Sequence, residues 1–173
     1  DFDILSAIGW DVLMVVAADD SERAAVMRAE HAFGPVPGEF RAHLPRLMRG
    51  VSSHAAPILG LAMVGTQPFL VSSLAIRHTD KTDGERAGRF ITARRIDKRW
   101  MERLQRFKSL EIQFSPLMLW PTNSTERAAR TALLGGANTF VRPRDSSHVD
   151  GYALLDDLYG NPILSMHVER DRE

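Results

Sequence analysis

Residues 69–97 constrain the fold more than any other stretch of the sequence. Residues 69–76 form an apolar run rich in strand-forming side chains. Residues 88–95 alternate large apolar and polar side chains, as a strand with two unlike faces does. The polar residues 79–84 lie between these two runs. The pattern predicts two neighbouring strands joined by a long loop, with Asp97 as the N-cap of a following helix.

The rest of the sequence predicts mostly strands, with helices inserted between them. The Asn123-Ser-Thr-Glu126 segment has the form of a capping box, and two glycines follow the helix that it would begin. Residues 10–18 are apolar enough for a strand buried on both faces. Further strands are predicted at residues 24–30, 58–64, 110–114, 139–142, 151–156 and 163–168, and helices at residues 40–50, after Asp97, and at residues 123–134. Strands joined by hairpins and flanked by helices predict an α+β fold with one twisted antiparallel sheet.

Length and composition predict a single globular domain over residues 1–173, because 44% of the residues are hydrophobic. The 22 basic residues equal the 22 acidic residues, so nucleic acid is not an expected partner. No cysteine is present, which excludes disulfides, thiol catalysis and cysteine-ligated zinc. The longest apolar run, residues 12–18, is much shorter than the roughly 20 residues of a spanning helix. We interpret the chain as one domain of a longer membrane protein, anchored only through helices outside this sequence.

Sequence motifs for catalysis and metal binding are absent. The chain has no Gly-x-Ser-x-Gly, no Gly-x-x-x-x-Gly-Lys and no His-Glu-x-x-His. Its six histidines do not have the spacing of metal ligands. We therefore expect no catalytic residues, no metal and no cofactor in this domain.

Two charge patterns each allow two interpretations. Asp156 and Asp157 could form a carboxylate pair for acid–base chemistry, but the following Tyr159-Gly-Asn-Pro162 favours the entrance to a turn. Basic residues around Trp100 could contact nucleic acid, but the apolar residues among them lie at core spacing and favour a solvated outer face. This basic cluster comprises Arg94, Arg95, Lys98, Arg99, Arg103, Arg106 and Lys108.

Arginines on the strand at residues 88–95 suggest a binding site. Strand alternation places Arg89 on one side of the sheet, and Thr92 and Arg94 on the other. An inward arginine near Ser73 could hold a carboxylate through two hydrogen bonds, whereas an arginine at a strand end would lie in water. The candidate ligand-binding residues are Ser73, Arg77, Arg89, Thr92, Arg94, Trp120 and Tyr152.

Residues 69–97 resemble the fourth class of CHASE domains, which are extracytoplasmic sensors with a Cache-like, PAS-like fold. The resemblance continues into residues 145–172, where a Gly-Tyr pair and a Gly-x-Pro turn precede a last apolar strand. Two positions depart from the family pattern, since Ala75 replaces a proline and Ala93 replaces a glycine. The matching residues are Gly88, Phe90, Ile91, Arg94, Ile96 and Asp97, followed by Gly151, Tyr152, Leu154, Leu155, Asp156, Gly160, Pro162, Ile163 and Arg170.

The resemblance implies a periplasmic sensor domain of an inner-membrane receptor that binds an unknown small molecule. In similar proteins such a domain regulates a cytoplasmic cyclic di-GMP cyclase or phosphodiesterase (GGDEF or EAL), or a histidine kinase, and the receptor is a homodimer. The N-terminal membrane-proximal helix of the family has no counterpart before Asp1. Two alternatives remain: a protein-interaction or dimerisation module without a small-molecule ligand, and a small α+β enzyme.

Overall fold

The computed structural model describes residues 9–19, 21–28, 33–51, 57–77, 86–105, 111–121 and 123–171. The chain divides into two compact units, residues 1–95 and residues 96–173. Each unit contains its own antiparallel sheet. The mostly antiparallel character agrees with the sequence analysis, but the expectation of one sheet was wrong.

The first unit is a six-stranded sheet with one helix. The strands follow the order β3-β2-β1-β6-β5-β4, so that the first strand pairs with the last strand of this unit. The sequence pattern did not predict the short β3. The elements are β1 (Val12–Ala17), β2 (Glu22–Arg28), β3 (Phe33–Gly34), α1 (Gly38–Val51), β4 (Ile58–Val64), β5 (Gln67–Arg77) and β6 (Arg86–Arg95).

The core of the first unit lies between α1 and one face of this sheet. Phe40 of α1 meets Phe69 of β5 edge to face, with 4.5 Å between the ring centroids. Strand β1 buries alternate residues, Val12, Met14 and Val16, while the residues between them are half-buried. The expectation that this strand is buried on both faces was therefore wrong. In an antiparallel sheet, a helix over one face is sufficient to give this alternation.

Two sequence features hold β1 against its neighbours. The Asp11 carboxylate accepts hydrogen bonds from Arg28 Nη2 and from the backbone N–H of Arg95, both at 2.7 Å. Gly88 allows β6 to approach β1 closely, since a Cβ at this position would collide with the carbonyl oxygen of Val16. The Asp11 carboxylate and the lack of a Cβ at Gly88 therefore both support the pairing of β1 with its neighbouring strands.

The second unit is a four-stranded sheet with two short helices. Its strands follow the order β7-β10-β9-β8, so that the last strand lies inside the sheet. The N-caps expected at Asp97 and Asn123 are confirmed: their side chains accept the N–H groups of Trp100 at 2.9 Å and Glu126 at 2.7 Å. The elements are α2 (Lys98–Gln105), β7 (Glu111–Pro116), α3 (Ser124–Leu134), β8 (Phe140–Pro143), β9 (His148–Asp156) and β10 (Pro162–Asp171).

The predicted turn after Asp156 is also confirmed. The Asp157 carboxylate accepts the backbone N–H groups of Tyr159 at 2.8 Å and Asn161 at 2.9 Å. Asp157 is therefore used in the turn between β9 and β10. The predicted loop at residues 79–84 lies outside the described residues.

Candidate functional site

Polar side chains line one face of the four-stranded sheet in the second unit. Alternate residues of β10 face this side, beginning with Ser165 and His167. The strand register places Ser115 of β7 beside Ser165, and Tyr152 of β9 beside His167. Helix α3 packs on the same face, where its Leu133 belongs to an apolar cluster with Tyr152. The helix covers only part of the face.

A cavity of about 210 Å³ lies on this face beside the first turns of α3. None of its lining residues has an aliphatic side chain, which distinguishes this cavity from the largely apolar pockets that bind most organic ligands. The lining residues are Gln113, Ser115, Asn123, Glu126, Arg144, Tyr152, Ser165, His167 and Glu169.

Each carboxylate of the lining is paired with an arginine. Glu126 receives a hydrogen bond of 2.7 Å from Arg130 Nη2, and both side chains of this pair are largely buried. Glu169 pairs with Arg144. These pairs bring the net charge of the two carboxylates and their arginines to zero.

His167 has a carboxylate partner of its own, because its Nε2 lies 2.9 Å from Asp150 Oδ1. The Asp150 side chain is only 10% exposed. In either charge state, an N–H at Nε2 can donate to this carboxylate.

Tyr152 lies at the centre of the site and is only 5% exposed. Its ring stacks on the His167 imidazole, with 4.6 Å between centroids and 15° between planes. Burial raises the pKa of the Tyr152 hydroxyl, and the negative charges of Asp150 and Glu126 raise it further. Within the described part of the chain, no protein group forms a hydrogen bond with the hydroxyl of Tyr152 or with that of Ser165, which is 2% exposed. Both hydroxyls are therefore available to a ligand.

The structure resolves which arginine of β6 is buried. Arg89 is 5% exposed, and its Nη1 donates a hydrogen bond of 2.9 Å to the fully buried Ser73. Thr92 is also buried, but strand alternation places it on the opposite face of the sheet, together with the half-buried Arg94. Arg77 is exposed at the end of β5. Among these five residues, Arg89 and Ser73 form a hydrogen bond with each other, and ligand binding by any of the five stays a prediction.

Trp120 and Tyr152, the two remaining candidates, lie in the second unit. Tyr152 lines the cavity, whereas Trp120 is 82% exposed in the segment between β7 and α3. Sequence reasoning missed the other lining residues. Their signal is the polar alternation Ser165-x-His167-x-Glu169 within an otherwise apolar strand.

The comparisons with known proteins agree with this architecture. The CHASE4 domain family matches residues 2–115, which is more than half of the chain. The chain belongs to the CHASE4 family. This family is one of sensor domains and not of catalytic domains. The match includes all of the first unit except residue 1, and the first part of the second unit.

A curated relative with a described role is the methanogenesis regulatory histidine kinase FilI of Methanothrix harundinacea (strain 6Ac). It is 29% identical to this chain over 175 residues, covering 95% of this chain. The chain spans only 18% of the length of that kinase.

Three similar solved structures are domains of larger proteins. The extracellular domain of the putative histidine kinase vpHK1S-Z8 has a TM-score of 0.53 and 10% identity, and the comparison covers 98% of this chain and 71% of the other. A domain of a putative sensory box/GGDEF family protein from Vibrio parahaemolyticus has a TM-score of 0.55 and 8% identity, covering 98% and 77%. The Vibrio cholerae LuxQ periplasmic domain has a TM-score of 0.50 and 11% identity, covering 99% and 75%. These likenesses show the fold.

The described residues contain no helix that is both long enough and apolar enough to cross a bilayer. They also contain no group of three or more histidine, aspartate or glutamate side chains arranged to hold a metal ion.

Proposed function

We propose that the chain is the ligand-sensing domain of an extracytoplasmic receptor, and that it binds a small molecule in the cavity of the second unit. Both units would belong to this one sensor domain, which performs no reaction itself. The observation that supports the proposal is the polar cavity beside α3, where the hydroxyls of Tyr152 and Ser165 have no protein partner within the described residues. Neither hydroxyl oxygen is fully closed off from solvent, so a ligand in the cavity can form hydrogen bonds with both.

The receptor would be a homodimeric inner-membrane protein with this domain in the periplasm. A cytoplasmic histidine kinase is one output, in keeping with the role of the FilI relative. A cyclic di-GMP cyclase or phosphodiesterase is the other. Membrane attachment would run through segments outside this chain.

Ligand binding would act by favouring one of two arrangements of the receptor. A ligand shifts such an equilibrium only as far as its affinities for the two arrangements differ. Strand β10 supplies the cavity residues Ser165, His167 and Glu169, and is hydrogen-bonded to a neighbour on each side. A ligand that binds these side chains more tightly in one arrangement would move β10, and with it both neighbouring strands.

The test is a thermal-shift screen of the 173-residue chain against small metabolites. We expect at least one compound to raise the melting temperature, because a ligand that binds only the folded state stabilises it by mass action. The variant Ser165→Met, whose longer side chain would take up part of the cavity, should lose this stabilisation. The variant Ser146→Met, at an exposed position outside the cavity, should keep it. A compound that stabilises Ser165→Met as strongly as the unaltered chain would place the ligand elsewhere and refute the cavity as the site.

A second candidate function, a protein-interaction or dimerisation module, is favoured by the segment before α3. Met118, Leu119 and Trp120 are 62%, 55% and 82% exposed, although they are adjacent large apolar residues. The segment is held in place by Arg130 Nη1, which donates to the carbonyls of Leu117 at 3.3 Å and Leu119 at 2.5 Å. An ordered apolar segment of this kind is typical of a contact surface.

Sedimentation velocity tests the second function. If this segment forms a self-contact, Trp120→Ser should shift the chain from dimer to monomer without changing its melting temperature. Leu59→Ser, at an equally exposed apolar position on β4, is the matched control. An unaltered chain that sediments as a monomer at all concentrations would reject self-association through this segment.

A further inference from the structure

We propose that the cavity beside α3 accepts a small, uncharged solute rich in hydroxyl groups. This inference rests on the proposed function, since it names the ligand class for the same site.

The charges around the cavity already have partners. Glu126 is paired with Arg130, and Glu169 is paired with Arg144. The Asp150 carboxylate is hydrogen-bonded to His167. A carboxylate, phosphate or ammonium group on the ligand would have to break one of these pairs or remain unpaired out of water. Both alternatives are unfavourable.

The unpaired groups of the lining are neutral and can both donate and accept hydrogen bonds. Tyr152, Ser165, Ser115 and Gln113 have no side-chain hydrogen bond to another group within the described residues of the chain. A hydroxyl oxygen and an amide each combine a donor with an acceptor. A ligand hydroxyl is the complementary neutral group, because it can also do both.

The volume of the cavity limits the size of the ligand. The cavity of about 210 Å³ holds roughly seven water volumes at about 30 Å³ each. This is below the range typical of drug-sized ligands. Short polyols and pentoses match both the size and the density of hydroxyl groups.

The experiment compares three compounds with one carbon chain that differ only at C1. Ribitol carries a hydroxyl group there, ribonate a carboxylate, and 1-amino-1-deoxyribitol an ammonium group. Isothermal titration calorimetry on the 173-residue chain should give measurable binding for ribitol and at least tenfold weaker binding for both charged analogues. Glycerol, erythritol and ribose extend the neutral series.

The site is tested with paired tyrosine variants. Tyr152→Phe removes the buried hydroxyl and keeps the ring that stacks on His167. We expect it to weaken ribitol binding at least fivefold, and Ser165→Ala to do the same. Tyr159→Phe removes a hydroxyl from the exposed turn between β9 and β10, and should leave binding unchanged.

Three results would overturn the proposal. Binding of ribonate or 1-amino-1-deoxyribitol as tightly as ribitol would refute the uncharged class. Absence of binding for the whole neutral series would also refute it. Binding of ribitol that Tyr152→Phe and Ser165→Ala leave unchanged would refute this cavity as its site. A different compound whose stabilisation is lost in Ser165→Met would meanwhile preserve the proposed sensing function, so the two failures are distinguishable.

Discussion

At the scale of the residue, Arg89 is the most unusual side chain of the first unit. It carries a guanidinium charge onto the face of the sheet that also holds the core, and it donates to the hydroxyl of Ser73. A guanidinium has five donors and no acceptor, so its burial requires oxygen atoms nearby. Ser73 supplies one of them, which gives this serine a role in stability whether or not the pair contacts a ligand.

We expect Ser73→Ala to lower the free energy of unfolding by about 1–3 kcal/mol, because it leaves a buried charged donor without this acceptor. Ser72→Ala is the matched control, since Ser72 is half-buried on the opposite face and should change stability by less than about 0.5 kcal/mol. Urea denaturation of both variants measures the difference. Equal effects of the two substitutions would show that the hydrogen bond to Arg89 contributes nothing.

Arg89 and Arg94 are also candidates for holding a ligand carboxylate through two hydrogen bonds. If Arg89→Ala and Arg94→Ala both leave ligand-dependent thermal stabilisation unchanged, neither arginine holds the ligand. That result is expected if the ligand binds only in the cavity of the second unit.

Gly88 is one of the residues that match the family pattern, and the structure gives a physical reason for a glycine there. Gly88→Ala should destabilise the protein by about 1–3 kcal/mol, since a Cβ would collide with the Val16 carbonyl and push β6 away from β1. Gly151→Ala in β9 is the control, because a Cβ there would lie 3.9 Å from the nearest atom, the carbonyl oxygen of Val168. Thermal unfolding should separate the two variants. If Gly88→Ala is as stable as Gly151→Ala, the prediction is wrong, because β6 can then move away from β1 without lowering the free energy of unfolding.

At the scale of the element, α3 is both a wall of the cavity and the support of the segment that precedes it. Arg130 makes this double role possible, because its guanidinium pairs with Glu126 one turn earlier and also donates to the carbonyls of Leu117 and Leu119. The Arg130 side chain is only 7% exposed. One buried residue thus couples the helix to the exposed apolar segment.

Arg130→Met should cost about 3–5 kcal/mol, because it leaves the Glu126 carboxylate largely buried without its partner. Arg127→Met, on the exposed side of the same helix, should cost less than about 0.5 kcal/mol. Chemical denaturation gives both values. If the double variant Arg130→Met/Glu126→Leu recovers stability, the loss in Arg130→Met comes from the orphaned carboxylate.

The hairpin between β8 and β9 contains a pH-dependent contact. His148 Nδ1 lies 3.0 Å from Asp145 Oδ1, and His148 Nε2 lies 3.3 Å from Asp171 Oδ1 at the end of β10. The hydrogen bond to Asp145 raises the pKa of His148 above its ordinary 6.5, and the negative charges of Asp145 and Asp171 add to this effect. Hydrogen bonds from Ser147 and His148 lower the pKa of Asp145.

The expected pH dependence follows from the directions of these two shifts. The stabilisation by protonated His148 is fully present below pH 6.5 and is lost as the pH rises through the raised pKa. The contribution of Asp145 is present above its ordinary pKa of 3.8 and is lost at lower pH. The melting temperature of His148→Gln should therefore be lower than that of the unaltered chain, and the difference should be largest between pH 3.8 and pH 6.5. His43→Gln, exposed on α1, is the control, and a pH-independent difference for His148→Gln would contradict the prediction.

At the scale of the whole molecule, the sequence predicted the elements better than their arrangement. Strands such as β4 and β5 were predictable because a short turn makes them neighbours. The pairing of β1 with β6 joins segments far apart in the chain, and periodicity carries no information about such partners. The division after Arg95 was equally hidden, since β6 is followed almost directly by the N-cap of α2.

The candidate site was predictable to a similar degree. Alternation along β6 correctly placed Arg89 and Arg94 on opposite faces, and the register brought Ser73 within reach of Arg89. Tyr152 was identified among the candidates, but its cavity requires the pairing of β7 with β10, whose residues lie far apart in sequence. Polar residues on a sheet face indicate a site only once that face is known to be partly covered.

The position of β10 has a mechanical consequence. The strand is hydrogen-bonded to β7 along one edge and to β9 along the other, and its partners run antiparallel to it. A pull applied along its axis at Asp171 would load both rows of backbone hydrogen bonds in shear, so that they resist together and do not open one after another. Tension at this end would therefore reach Glu169, His167 and Ser165 before the strand detached. A force along β10 would therefore act on the same side chains that line the cavity.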